Sequence, residues 1–143
     1  MSTFTTTNPA TNEPLATFAL MTEAQAKERL AACHAAFQDW RTLTHKERAP
    51  YLTKLAEALR ANSEDLAQLM TTEMGKLYRD GLTEVELCAA ICEYTAEHGP
   101  SELADEERSH QGGTGIITYQ PLGVIYSIQP WNFPIYQPLC VLA

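Results

Sequence analysis

Basic residues are scarce in this sequence: 10 Lys and Arg stand against 18 Asp and Glu in 143 residues, a formal charge of −8. Nucleic-acid binding needs a basic stripe to displace counterions from phosphates, and an anionic membrane surface asks for the same sign, so neither partner is expected. Also missing is any run approaching the ~18 uninterrupted apolar residues of a membrane helix. The polar, Thr-rich opening from Met1 to Pro14 has neither the cationic start nor the apolar run of a secretory signal. No repeat or low-complexity tract occurs, which removes solenoid and array architectures. The few cysteines, Cys33, Cys88, Cys92 and Cys140, lack framework spacing and read as free thiols of a reducing compartment. A cytoplasmic location is therefore expected.

What is present suits one globular domain of ordinary size, with 45% hydrophobic and 20% charged residues. Thr3 to Thr7 and Leu15 to Leu20 are β-prone and flank Asn8-Pro9 and Asn12-Glu13-Pro14, so a loose hairpin is predicted. Four helices should follow. Thr22-x-x-Gln25 and Thr44-x-x-Glu47 have the form of capping boxes, in which each side chain satisfies an orphan backbone N–H. Behind the first box, Leu30, Cys33, Phe37 and Trp40 recur at helical spacing and are expected to pack in the core. Behind the second, Leu52, Leu55, Ala56 and Leu59 should face inward, with Pro50 either kinking the helix or marking its regular start.

Ser63 is the expected cap of a third helix carrying Leu66, Leu69 and Met70, and Gly75 its left-handed stop. The fourth and longest should run from about Arg79 to His98 with a stripe of Leu82, Val85, Ala89, Cys92 and Ala96, ended by Gly99-Pro100. Ser101 to Gln111 reads as a polar connection, its run Asp105-Glu106-Glu107 a solvated face. Beyond the glycines at 112, 113 and 115 the composition turns β-branched and aromatic. Gly123 to Ile128 is apolar almost throughout, as in a strand buried on both faces of a parallel sheet. Pro134 to Ala143 reads as the start of a helix that stops uncapped, and the sequence is expected to be cut in mid-domain.

The most specific string is Gln129-Pro130-Trp131-Asn132-Phe133-Pro134. Prolines restrict the backbone on both sides of Asn132, so the direction of its amide is set in advance. An amide N–H held this way suits stabilisation of a developing oxyanion. The competing reading is a structural turn in which Asn132 bonds its own backbone.

Tyr119-Gln120-Pro121-Leu122-Gly123-Val124, followed by Pro130-Trp131-Asn132-Phe133-Pro134, resembles the signature of the aldehyde dehydrogenase superfamily. Glu73-Met74-Gly75-Lys76 and Tyr94-Thr95-Ala96-Glu97-His98-Gly99-Pro100 are similar to its bacterial succinate-semialdehyde dehydrogenase branch, and Asn8-Pro9-Ala10-Thr11 fits the N-terminal layout. The resemblance implies an α+β, mostly helical portion of that fold, four helices with short β ribbons, ending at the first strand of an incomplete Rossmann-like domain. Residues 1–114 would be the helical region with its hairpin, 115–123 part of the oligomerisation ribbon and linker, and 124–143 the start of the cofactor domain. The implied reaction oxidises a short aldehyde such as succinate semialdehyde to the acid, with NAD or NADP as hydride acceptor, in a homo-oligomer. Asn132 would be the oxyanion donor, Gln129, Pro130, Trp131 and Asn132 would line the cofactor cleft, and Phe133 would face the aldehyde tunnel, with the fourth helix contributing to its wall. The family's nucleophilic Cys and general-base Glu lie further along than this sequence reaches. Cys140 follows Asn132 too closely for that role and is expected to be a buried helix thiol. The alternative is an inactive remnant serving as a helical interaction module, pairing through the ribbon around Gly115 to Gln120.

Other candidates read blandly. Cys88 and Cys92, four apart, with His98 beyond, form an incomplete zinc set, so packed core thiols are expected and no metal. His34, His45 and His110 lack partners at diagnostic spacing. Gly112-Gly113-x-Gly115 precedes a strand rather than opening a helix, the wrong context for a phosphate loop.

Overall fold

Residues 2–20 fold back on themselves before any helix begins. In the computed structural model, which describes residues 2–143, β1 (Thr3–Thr7) pairs antiparallel with β2 (Pro14–Ala19) in the register Phe4 to Phe18 and Thr5 to Thr17. The turn is the predicted one: Asn8 Oδ1 accepts from Ala10 N at 2.9 Å, and Asn12 takes a positive φ of 60°, a conformation Asn tolerates. The Phe4 and Phe18 rings stack at 5.2 Å. Thr6 Oγ1 donates to Glu73 Oε1 at 3.1 Å and ties this ribbon to the helices.

Among the described residues five helices follow. Both capping boxes form, Thr22 with Gln25 at the start of α1 (Glu23–Trp40) and Thr44 with Glu47 at the start of α2 (His45–Ala61). Those hydrogen bonds hold the Glu47 carboxyl below its ordinary value, the Thr44 backbone N–H contributing most. Pro50 sits inside α2 as one continuous helix. Ser63 is not the cap of α3 (Ser63–Met74) but its first residue. Asn62 precedes it without capping, because its amide donates backwards to Ala58 O at 2.8 Å and closes α2 instead. Gly75 ends α3 at φ +74°, as expected of a left-handed stop.

The longest helix, α4 (Tyr78–Glu102), runs through Gly99-Pro100 rather than stopping there. Gly99 has no Cβ for the proline ring to strike, which removes the usual obstacle to helical backbone before proline. Ser101 Oγ donates to His98 O at 2.8 Å, and Leu103 N to Gly99 O, so the carbonyls on either side of this step are satisfied.

The core lies where α2, α3 and α4 cross, with α5 (Tyr136–Leu142) laid across it: Ala56, Leu59, Met70, Val85, Cys88, Ala89, Cys92 and Leu139 form one buried cluster. Leu52, Leu55 and Leu66 pack against it, while Leu69, on the outer side of α3, is exposed. Arg60 on α2 ion-pairs with both Glu86 and Glu93 of α4 and links the two helices at the surface. The expected core role of α1 is overturned: it buries no residue, Leu30 is 59% exposed and Phe37 only half-buried. Its apolar stripe is a genuine face that meets another helix at its end, where Trp40 packs edge-on against Tyr51 of α2 at 5.0 Å.

Three further expectations shift. The acidic stretch is partly strand: β3 (Glu106–His110) pairs antiparallel with β4 (Gly113–Ile117), so the ribbon begins ahead of Gly115. Val124 to Ile128 joins no sheet among the described residues, and Tyr126 and Ile128 are 88% and 80% exposed. The physical reason is that a parallel strand exists only beside a neighbour. Cys140, expected buried, is exposed.

Candidate functional site

The proline-bracketed turn follows a stretch with no secondary structure of its own. From Thr118 to Trp131 no backbone–backbone hydrogen bond forms among the described residues. Gln129 Nε2 donates to Ser127 Oγ at 2.7 Å, and Trp131 is 75% exposed. This strip therefore presents unclaimed N–H and C=O groups along an open surface, as the edge of a ligand cleft would.

At Asn132 the backbone and the side chain have opposite fates. Its carbonyl accepts from Lys76 Nζ at 3.0 Å, whereas its exposed side-chain amide has no hydrogen-bond partner among the described residues. The self-bonded structural turn is thus not what forms. Phe133, 41% exposed, lies with its ring centroid 3.9 Å from Lys76 Nζ and meets Tyr136 edge-on at 6.1 Å. A cation that close to a ring face is attracted by its quadrupole.

The other end of this arrangement is Glu84, on the buried side of α4 and only 2% exposed. Its carboxylate ion-pairs with Lys76, and its Oε1 accepts from the backbone N–H groups of Ile135 and Tyr136 at 2.9 and 3.0 Å. Those N–H groups belong to the entry of α5 and would otherwise be orphans. A buried carboxylate persists only when paired and hydrogen-bonded, and every contact here serves that need. Removing one partner of such a pair costs about 3–5 kcal/mol, because the other charge is left uncompensated.

Lys76 and Glu84 are the residues that pattern reading missed. A signal was available: Glu84 shares the face of Gly81, Val85, Cys88 and Cys92, a carboxylate in the middle of an apolar row. Beneath it, burial pushes the Cys88 thiol up to about 12, reinforced by the charge of Glu84, and burial raises Cys92 as well. Both behave as packed core thiols rather than nucleophiles.

Beside the turn, Trp131, Pro134 and Ile135 face Leu66, Leu69 and Met70 of α3 across an apolar groove of about 380 Å³. Phe133 does not line it, nor does any residue of α4. The structure thus gathers Asn132, Phe133, Lys76 and Glu84 around one turn. Gln129 and Pro130 lie on the open strip leading into it.

Comparison with known proteins identifies the family and the fold. A sequence profile of the aldehyde dehydrogenase family matches residues 1–143. The chain is 40% identical over 130 residues to the NAD(P)+ succinate semialdehyde dehydrogenase Sad of Escherichia coli, covering 91% of this chain and 28% of that protein. It is 37% identical over 132 residues to the probable NADP+ succinate-semialdehyde dehydrogenase of Synechocystis, covering 92% and 29%. Its fold superimposes on the succinic semialdehyde dehydrogenase of Streptococcus pyogenes, crystallised with NADP+, at a TM-score of 0.92 and 36% identity, over 98% of this chain and 31% of that one. The match is to the N-terminal part of that fold. The chain spans less than a third of the length of these relatives.

Proposed function

The chain belongs to the aldehyde dehydrogenase family, and on that premise we propose that it forms part of an enzyme oxidising a short aldehyde, succinate semialdehyde, to its carboxylic acid with NAD or NADP. The observation that carries this reading is Asn132: a backbone pinned by Lys76 beneath an exposed amide that no neighbour among the described residues consumes. An oxyanion donor must be held still and left unsatisfied until charge develops, because a donor already paired has to break a bond first.

Attack of a thiolate on an aldehyde carbon turns the carbonyl oxygen into an oxyanion, and the Asn132 N–H donates to that oxygen. The thiolate and the base for hydrolysis come from residues outside this sequence. The nicotinamide, when bound, supplies a hydride acceptor. Gln129, Pro130 and Trp131 flank its cleft, and the unclaimed backbone groups of that strip fit a polar ligand with many acceptors and donors. Phe133 borders the aldehyde path and supports the turn from below. The ribbon of β3 and β4 is the surface through which copies of the enzyme associate, and the protein works in the cytoplasm. Among the described residues no helix is long and apolar enough to cross a membrane.

The test is steady-state oxidation of succinate semialdehyde by the full-length protein and its Asn132→Ala variant, with each nicotinamide cofactor. Loss of one oxyanion donor should lower kcat by roughly 10²–10³ with little change in KM. An unchanged kcat removes Asn132 from the chemistry, and a wild-type protein inert toward the semialdehyde removes the substrate.

A further inference from the structure

We propose that Lys76 and Glu84 are positioning residues for Asn132, setting the direction of its amide through the backbone of the proline-bracketed turn; this rests on the reading of Asn132 as the oxyanion donor. The turn needs something to hold it, since no sheet ladder reaches it among the described residues. Proline at 130 and 134 narrows its conformations but does not fix where it sits relative to the rest of the chain.

The anchor is α4. Glu84 is buried on that helix, and its two oxygens reach different parts of the turn. Oε1 accepts from Ile135 and Tyr136, three and four residues past Asn132. Oε2 pairs with Lys76, whose Nζ donates at 3.0 Å to the carbonyl of Asn132 itself. The same ammonium lies 3.9 Å from the Phe133 ring centroid, on the adjoining residue. The turn is therefore gripped at Asn132, at Phe133 and at the entry of α5 by one ion pair. Lys76 is placed for this by Gly75, whose φ of +74° turns the chain at the end of α3. The Lys76 side chain is only 10% exposed and that of Glu84 fully buried, so solvent does not loosen the grip.

A clamp of this kind serves geometry rather than ground-state binding. Displacing a catalytic group by about 1 Å costs on the order of 10²-fold in rate. Asn132 held by two prolines alone would keep its local shape while its position drifted.

The experiment uses the full-length protein and the paired variant Lys76→Met/Glu84→Gln. The pair removes both charges together, so no lone buried charge is left, and an amide oxygen still accepts from the entry of α5. Succinate semialdehyde oxidation is measured for wild type, the paired variant, Asn132→Ala and the triple variant, with thermal unfolding alongside. The expected result is a kcat roughly 10- to 100-fold lower in the paired variant, with KM for aldehyde and cofactor within about twofold. In the Asn132→Ala background the paired change should have no further effect on kcat, since positioning an absent amide does nothing. Multiplicative losses in the triple variant, an unchanged kcat in the pair, or a KM that rises with kcat constant each overturn the proposal while leaving Asn132 intact. If Asn132→Ala itself is harmless, the underlying reading fails and the proposal falls with it. Should the paired variant not fold, Lys76→Arg keeps a donor and a charge, and it must retain more activity than Lys76→Gln at matched stability for the proposal to stand.

Discussion

Gly81 sets how closely α3 and α4 approach, and replacing it with alanine pits two helix effects against each other. In an isolated helix the change is favourable by about 0.8–1 kcal/mol, because alanine loses less backbone freedom. Here a Cβ on residue 81 would lie 3.0 Å from Ala67 Cα, 3.1 Å from Ala67 Cβ and 3.3 Å from Met70 Cε. Met70 is flexible at its tip and can yield. The Ala67 contacts involve backbone and a stub that cannot rotate away, on a residue with no exposed surface. The only relief is for the two helices to separate, which opens the core around Met70, Val85 and Cys88. Overpacking of this kind costs about 1–3 kcal/mol, so the sum is a net loss of about 1 kcal/mol despite the better propensity. Urea unfolding followed by far-UV circular dichroism measures it, with roughly 4 °C off Tm as the thermal counterpart. A cycle with Ala67→Gly sharpens the test, since deleting the opposing Cβ should recover at least about 0.5 kcal/mol of the loss. A Gly81→Ala variant that is more stable than wild type would refute the argument, because propensity alone would then have decided the outcome.

Two pH effects follow from the same packing. The Cys88 thiol, raised to about 12 chiefly by burial, holds its proton more tightly folded than unfolded, so it stabilises the protein fully below an ordinary thiol value near 9.0 and loses that contribution as pH rises toward 12. Cys88→Ala should flatten the alkaline limb of the stability curve, and iodoacetamide at pH 8 should label exposed Cys33 and Cys140 in the native protein while sparing Cys88; early labelling of Cys88 would contradict its burial. At the other end, hydrogen bonds from Arg60 hold the Glu86 and Glu93 carboxyls below their ordinary value, so their contribution is present above about pH 4.5 and lost as pH falls through the lowered range. Arg60→Met should make stability less dependent on pH below that point, and an identical acid limb in the variant would show that the α2–α4 ion pairs carry no linkage.

The elements legible in the sequence were those whose causes are local. A capping box occupies four consecutive residues, and both formed as read. The periodic rows of α2 and α4 announced their buried sides, because helical spacing is a property of the segment alone. Reading failed where a second segment decides the outcome. The row Leu30, Cys33, Phe37 and Trp40 shows that α1 has an apolar face, but periodicity does not supply the element that covers it. Val124 to Ile128 has strand composition, yet strand is a relation between two segments, and the described residues hold no second one. Gly99-Pro100 misled differently: each residue alone breaks a helix, but together the missing Cβ of glycine admits the proline.

The same division runs through the site. The restraint on Asn132 was legible because it is written beside it, in Pro130 and Pro134. Lys76 and Glu84 were not, although half of their story is in the pattern. Glu84 stands in the row of Gly81, Val85, Cys88 and Cys92, and a carboxylate in a buried row demands a cation and hydrogen-bond donors. The sequence states that demand without naming who meets it. Two basic residues, Lys76 and Arg79, stand within ten positions, and the left-handed turn at Gly75 selects Lys76 by folding it back against the first turns of α4. The remaining donors come from Ile135 and Tyr136, about 50 residues on, as backbone groups with no side-chain signature at all. A buried charge is thus a place where sequence shows that a long-range contact must exist, and here that contact leads directly to Asn132, the proposed oxyanion donor.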